Sequence, residues 1–286
     1  MELNTNKNIL IIGLGLLGGS YARALTKKGY MVTAIEPRES AITFALEQGI
    51  VAKGYTAPCE EVVKEADLVI FAVYPRVLFA WVEEYGYMLT PGTIVTDVTG
   101  VKGAVVSRVQ KALPKGVEFI SAHPMAGREC GGVENSDDAI FHGANYIVVP
   151  TEDNTEEAIH LCAKLGEELG FSRISFLSPE EHDEMVGFVS QLTHCIAVSL
   201  MTCNQTEHLE DYTGDSFRDL TRIARINDEM WSELFLLNRE GLVSQIDTFT
   251  EELATLRQHL ENGDREALRE MMRTSTKRRA LFDKKQ

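Results

Sequence analysis

The sequence has no surplus of positive charge, no paired cysteines, no long apolar run and no low-complexity tract, and each absence removes a class of protein. Its formal charge is −15 at pH 7. A surface of that sign repels a nucleic-acid backbone or an anionic bilayer, so neither nucleic acid nor membrane is an expected partner. An anionic ligand must then be held by a local cluster of positive charge. The five cysteines, Cys59, Cys130, Cys162, Cys195 and Cys203, are odd in number and scattered, with no CxxC pair. They offer neither a disulfide framework nor a zinc site, which suits a reduced, cytoplasmic protein with no metal. No apolar run approaches the ~20 residues of a membrane span. The first eight residues are polar, without a basic region, an apolar core or a cleavage site, so no signal peptide is expected.

At 286 residues the chain has room for about two domains, each with its own core. Its first half alternates short apolar, β-branched runs with helical patterns. Residues 8–13, 31–36, 67–73, 93–98, 118–121 and 145–149 read as strands. Strands apolar on both faces belong to a parallel sheet covered by helices, which predicts a Rossmann-type doubly wound α/β domain. A helix over 155–170 and a strand over 172–177 complete it. From Pro179 the strand signals stop, and helical patterns over 180–205 and 227–260, with a last helix beyond Asn262-Gly263-Asp264, predict an all-α domain. The expected division is 1–178 and 179–286. Within the second pattern Leu242, Ile246, Phe249, Leu253, Leu256 and Leu260 form one seam. A helix of that extent is ~50 Å long at about 1.5 Å per residue. Either a second copy of the chain or an intrachain bundle would cover the seam.

Gly13-Leu14-Gly15-Leu16-Leu17-Gly18 follows a strand and opens a helix, the context in which GxGxxG signals a dinucleotide site. Gly13 permits the tight turn, Gly15 lets the backbone approach a pyrophosphate, and Gly18 lets helix and strand pack closely. Free N–H groups at the helix start face the anion. Val73, closing the apolar run 67–73, is a further expected cofactor contact. Glu36 ends the second strand, where a carboxylate accepts hydrogen bonds from the adenosine ribose and repels a 2′-phosphate. This favours NAD, although Arg38 is near enough to accommodate the phosphate of NADP.

His123, in Ser121-Ala122-His123-Pro124, stands at the carboxyl end of a predicted strand, where ligands of open α/β sheets bind. It either exchanges a proton there or caps a turn. Ser190, Gln191, Thr193 and His194 make a polar island in an apolar helix, which requires a hydrogen-bond network or a ligand. His194 is therefore a ligand-binding or a satisfied core histidine. Arg218, Arg222 and Arg225 are spaced to share one helical face, suited to a dicarboxylate or to solvated ion pairs.

GLGLLGGS near the start, DVTGVKG at Asp97 to Gly103, HPMAGRE at His123 to Glu129 and FRDLTRIA at Phe217 to Ala224 together resemble the prephenate/arogenate dehydrogenase family. The resemblance runs from Asn8 to about Asn238, and HPMAG followed by TRIA is its specific part. It implies a dinucleotide-binding domain joined to a helical dimerisation domain, a homodimer formed through the C-terminal helices, and NAD-dependent oxidative decarboxylation of prephenate, or of arogenate, toward tyrosine. It implies His123 as the catalytic base on the ring hydroxyl, His194 in the substrate pocket and Arg222 on the ring carboxylate. Arg128, after HPMAG, falls near the substrate side chain, where a guanidinium would disfavour the ammonium of arogenate. Two positions depart from the pattern. The family serine near the nicotinamide is Gly100 here, with Thr99 as its possible replacement, and the glycine-rich lead-in to FRDLTRIA is Gly214-Asp215-Ser216. The chain ends after the last helix, so feedback through a C-terminal regulatory domain is not expected. A β-hydroxyacid or imine reductase shares the two-domain plan but relies on a lysine or aspartate where this chain offers His194. A non-catalytic NAD sensor would not need His123, His194 and Arg222 together.

Overall fold

The computed structural model describes residues 3–128 and 130–282; Glu129, the last residue of HPMAGRE, lies outside them. The chain divides into two compact units, Met1–Asn238 and Arg239–Gln286.

In the first unit six parallel strands form one sheet in the order β3-β2-β1-β4-β5-β6. The strands are β1 (Asn8–Ile12), β2 (Met31–Ile35), β3 (Lys53–Tyr55), β4 (Leu68–Phe71), β5 (Ile94–Asp97) and β6 (Glu118–Phe119). β1 and β4 are buried almost throughout because helices cover both faces. Helices α1 (Leu16–Lys27), α2 (Glu39–Glu47), α3 (Glu60–Lys64), α4 (Pro75–Tyr85) and α5 (Gly103–Ala112) make the crossovers. The order reverses between β1 and β4, so their carboxyl ends open the crevice in which such sheets bind dinucleotides.

The strand expected over 118–121 is two strands. After β6 the Ile120 N–H still reaches the Val95 carbonyl at 2.9 Å. The next two residues turn instead to the buried Asp97 side chain, through Ser121 Oγ at 2.5 Å and the Ala122 N–H at 3.3 Å. The carboxylate replaces the ladder, and β7 (Ser121–Pro124) leaves the main sheet. It pairs antiparallel with β8 (Asn145–Val149), which pairs parallel with β9 (Arg173–Phe176). Helix α6 (Glu156–Leu169) joins the last two.

Beyond Ser178, whose side chain and Glu181 form a capping box, α7 (Pro179–Val186), a π-helical turn (Gly187–Leu192) and α8 (Thr193–Thr202) follow one another. By length and composition alone Pro179–Thr202 passes for a membrane span. Polar residues punctuate the segment, so its apolar residues do not form one continuous run. The polar residues tie it to its neighbours in the first unit: the Lys102 N–H, ahead of α5, donates to Asp183 at 2.7 Å, and Asn238 Nδ2 donates to Gln191 at 2.7 Å.

Two further expectations change. The segment 227–260 is α10 (Asp228–Leu237) and α11 (Arg239–Glu261), interrupted at Asn238, whose amide also bonds the Asp183 carbonyl at 3.0 Å. FRDLTRIA is not one helix: α9 (Asp215–Thr221) gives way to a 3-10 turn at Arg222–Ala224, and Arg225 is extended. Arg218, Arg222 and Arg225 therefore do not form one helical face. The compact-unit boundary at Asn238 differs from the 178/179 change in secondary structure, because the α7–α10 region packs with the sheet.

The second unit is an α-hairpin of α11 and α12 (Arg265–Arg279), turned at Gly263 with φ +63° and capped by Asp264 on the Ala267 N–H at 3.0 Å. Along its seam Leu253 and Leu260 are 55% and 59% exposed.

Candidate active site

The glycine turn is shaped by contact with β4. Gly13 has φ +95°, and a Cβ there would lie 2.6 Å from Val73 Cγ1, so only glycine fits. A Cβ on Gly18 would fall 2.0 Å from the Gly13 carbonyl oxygen, which is the close strand–helix approach. A Cβ on Gly15 would meet nothing within 4 Å. Gly15 is also the N-cap of α1 and has no side-chain cap, so the first amides of α1 face open space beside a bare backbone. This cradle fits a pyrophosphate. Leu14 and Leu16 turn into the core, and Leu17 packs against it.

Glu36 is buried at the end of β2 and accepts from the Leu14 N–H at 2.9 Å and from Arg38 Nε at 2.8 Å. Arg38 Nη2 in turn donates to the Leu14 carbonyl at 3.2 Å. Burial pushes the Glu36 carboxyl up, but the bonds from Arg38 and Leu14 outweigh it and hold the group below its ordinary value. An ionised carboxylate at the strand end suits a ribose diol. Arg38 would have to release Glu36 before it could reach a 2′-phosphate.

Beside this cradle Asp97, Thr99, Lys102 and Ser121 form a buried cluster. Lys102 Nζ donates to Asp97 at 2.8 Å, to the Ala122 carbonyl at 2.7 Å and to Thr99 Oγ1 at 3.3 Å, so all three of its protons are used. Both partners of the Lys102–Asp97 pair are 0% exposed. The Thr99 hydroxyl is committed within the cluster, to Asp97 and to the Val101 carbonyl. Gly100, not Thr99, is the position that faces the histidine: a Cβ there would lie 3.9 Å from His123 Cε1.

His123 stands on β7, next to the Ala122 carbonyl that Lys102 holds. Its Nδ1 is 2.9 Å from His182 Nε2, and His182 Nδ1 is 2.8 Å from Asp183 Oδ1. Burial pushes the His123 imidazole well below its ordinary value, and His182 and Lys102 push it the same way. His182 is also lowered by burial, against the opposing pull of Asp183. His123 is therefore neutral near pH 7, as a base must be. Sequence reasoning missed His182, Asp183 and the buried state of Lys102. The only signal was His-Asp directly behind a capping box, a setting that ordinarily faces solvent.

His194 lies on α8, with Nδ1 2.9 Å from the Ser190 carbonyl and its ring stacked 3.7 Å from that of Trp231. Trp231 and Leu234 are one turn apart on α10, and Leu234 is the nearest neighbour of a Cβ at Gly100. α10 thus bridges the surroundings of His123 and His194. Two other members of the polar island are structural: Gln191 bonds Asn238, and Thr193 bonds the Ser190 carbonyl at 2.6 Å. Arg222 is exposed, in the turn that packs against α8. Arg218 pairs with Asp215 at 2.6 Å, and Arg128 with Asp137 at 3.1 Å.

Two family descriptions match the chain: prephenate dehydrogenase, nucleotide-binding domain, over residues 21–174, and prephenate dehydrogenase, dimerization domain, over 178–274. The chain is 30% identical over 280 residues to a prephenate dehydrogenase of Bacillus subtilis, covering 93% of this chain and 74% of the relative. It is 29% identical to a cyclohexadienyl dehydrogenase of Zymomonas mobilis, covering 96% and 95%. The crystal structure of a prephenate dehydrogenase from A. aeolicus, in complex with hydroxyphenyl propionate and NAD+, superimposes with a TM-score of 0.90 at 30% identity, covering 97% of this chain and 98% of that one.

Proposed function

This chain belongs to the prephenate dehydrogenase family, and from that premise we propose that it catalyses the NAD-dependent oxidative decarboxylation of prephenate to 4-hydroxyphenylpyruvate, a step toward tyrosine. The observation that carries the reading is His123 on β7 with its Nδ1 2.9 Å from His182 Nε2, in a setting whose burial favours the neutral imidazole. His123 Nε2 takes the proton of the ring hydroxyl as the C4–H bond breaks. NAD, held by the glycine cradle, would supply the hydride acceptor. The ring carboxylate then leaves as carbon dioxide, and its bonding pair completes the aromatic ring.

The cradle of Gly13, Leu14, Gly15, Leu16, Leu17 and Gly18, with Val73 and Glu36, holds the cofactor, and Arg38 acts by fixing Glu36. Arg222 binds the ring carboxylate and His194 lines the substrate pocket. Thr99 serves behind His123, in the cluster that holds its strand, rather than on the substrate. Residues 1–178 supply the cofactor domain. Residues 179–286 supply substrate groups and a homodimer contact, which the exposed seam of α11 supports. The free cysteines fit a cytoplasmic location.

Arogenate is the second reading, and a specific observation favours keeping it. Arg128 is paired with Asp137, so its guanidinium is largely neutralised and would repel an ammonium weakly. Turnover of prephenate and of arogenate, each with NAD and with NADP, followed by NADH or NADPH formation and carbon dioxide release, tests both. NADH formation with prephenate is expected. No turnover of either acid would overturn the reading, and arogenate turned over better than prephenate would select the second.

A further inference from the structure

We propose that His182 and Asp183 form a relay that fixes the tautomer of His123 and so selects Nε2 as its basic atom; this deepens the reading of His123 as the base and rests on it. Asp183 is held rigidly at the start of α5, accepting from the Lys102 N–H at 2.7 Å and the Gly103 N–H at 2.8 Å. An ionised carboxylate only accepts, so His182 Nδ1, 2.8 Å from Asp183 Oδ1, carries the proton. A neutral imidazole has one N–H, which leaves His182 Nε2 as a lone pair. His123 Nδ1, 2.9 Å from that lone pair, must be the donor. The remaining nitrogen of His123, Nε2, is then left with its lone pair.

The free imidazole of histidine favours the opposite tautomer, with the proton on Nε2, so this arrangement has to be imposed. Among the described residues no other group near the ring imposes it. Gly100 has no hydroxyl, and Thr99 is committed to Asp97 and Val101. Among the described residues, the charged and titratable groups about His123 are His182 and Asp183 from α7, Lys102 before α5 and Asp97 at the end of β5. Among these only His182 touches the ring. When Nε2 takes the hydroxyl proton, His123 becomes a cation whose Nδ1–H still donates to His182. Asp183 lies directly behind. The relay makes and breaks no bond of its own, so His182 and Asp183 are positioning residues.

Two measurements test the relay separately from the function. Long-range proton–nitrogen correlation spectra of histidine-labelled protein, with His123 assigned by the signal lost in His123→Asn, should show His123 protonated at Nδ1. An Nε2-protonated His123 in the wild-type protein would overturn the relay whatever the rates. In kinetics, His182→Leu removes the acceptor, and kcat should fall about 10²-fold with KM values changed by less than about threefold. His182→Gln keeps both a donor toward Asp183 and an acceptor toward His123, so it should recover most of that loss. A folded His182→Leu enzyme with kcat within about threefold of wild type would also overturn it. Should His182→Leu fail to fold, the spectra and His182→Gln decide. Full activity in His123→Asn beside an Nδ1-protonated wild-type ring would remove the base and leave the tautomer lock standing.

Discussion

A histidine that must act as a base near neutral pH has to be neutral, correctly protonated and held in place, and His123 meets these conditions through different neighbours. Burial with Lys102 nearby keeps it neutral, and β7 holds its backbone. Its replacement by Asn keeps a polar side chain but removes the base. We expect kcat to fall by ~10²–10⁴ while the affinity for NAD, measured by titration, stays near wild type. A variant retaining about a third of wild-type kcat, far more than the loss of a general base worth ~10²-fold or more would leave, would remove His123 from the chemistry. Arg222 is a different case. It is exposed in the isolated chain, so its pairing with a carboxylate is screened and its worth depends on closure around the substrate. Arg222→Ala should raise KM for prephenate by roughly tenfold or more, with kcat changed less. Unchanged KM would place the ring carboxylate elsewhere.

Between strand and loop, the Asp97–Lys102 pair does what a longer β6 would otherwise do. Asp97 ends β5 and captures Ser121 and Ala122, turning the chain out of the main sheet into β7. Lys102 neutralises it and grips the Ala122 carbonyl beside His123. A buried ion pair adds little relative to apolar packing, but losing one partner strands the other. Lys102→Met should therefore destabilise the fold by about 3–5 kcal/mol in urea unfolding and lower kcat by displacing β7. A cost below about 1 kcal/mol would show that Asp97 is protonated in the folded protein and the pair is not ionic. The π-helical turn Gly187–Leu192 works at the same scale. Its extra residue per turn shifts the face of the helix between Asp183 and His194, so that α7 meets the sheet while α8 meets Trp231.

For the molecule as a whole, the buried histidines couple stability to pH. His123 and His182 are both held below the ordinary histidine value, mainly by burial. Below ~6.5 the unfolded chain binds protons that the folded protein refuses. Stability therefore rises with pH across the window between the lowered values and ~6.5, and it is lost as pH falls through that window. Each group contributes a slope of at most ~1.4 kcal/mol per pH unit. Unfolding free energies measured from neutral pH down to about 5.5 should decline, and His182→Gln should flatten the decline. An unchanged slope in that variant would mean that His182 is not held neutral. The fall in net negative charge on acidification relieves self-repulsion in both proteins alike, so their difference isolates the histidine.

The sequence by itself determined the parts that depend on local order. Apolar runs of strand length, a glycine turn between strand and helix, and a carboxylate at the end of the second strand specify a doubly wound cofactor domain, because each is a rule about neighbours along the chain. HPMAG and TRIA, taken with the other motifs, pointed to the family for the same reason. Tertiary structure alone decided what touches His123. His182 and Asp183 sit in the first turns of a capped helix, where sequence reads solvent, and the packing of α7 on the start of α5 buries His182 and engages Asp183. Thr99 and Gly100 are adjacent in sequence, but the turn gives one hydroxyl to Asp97 and the other position to the ring. Likewise the even spacing of Arg218, Arg222 and Arg225 promised one face, and the helix ended at Thr221 before it could form. Periodicity reports a face only while a helix lasts, and where it stops is set by contacts from elsewhere in the chain.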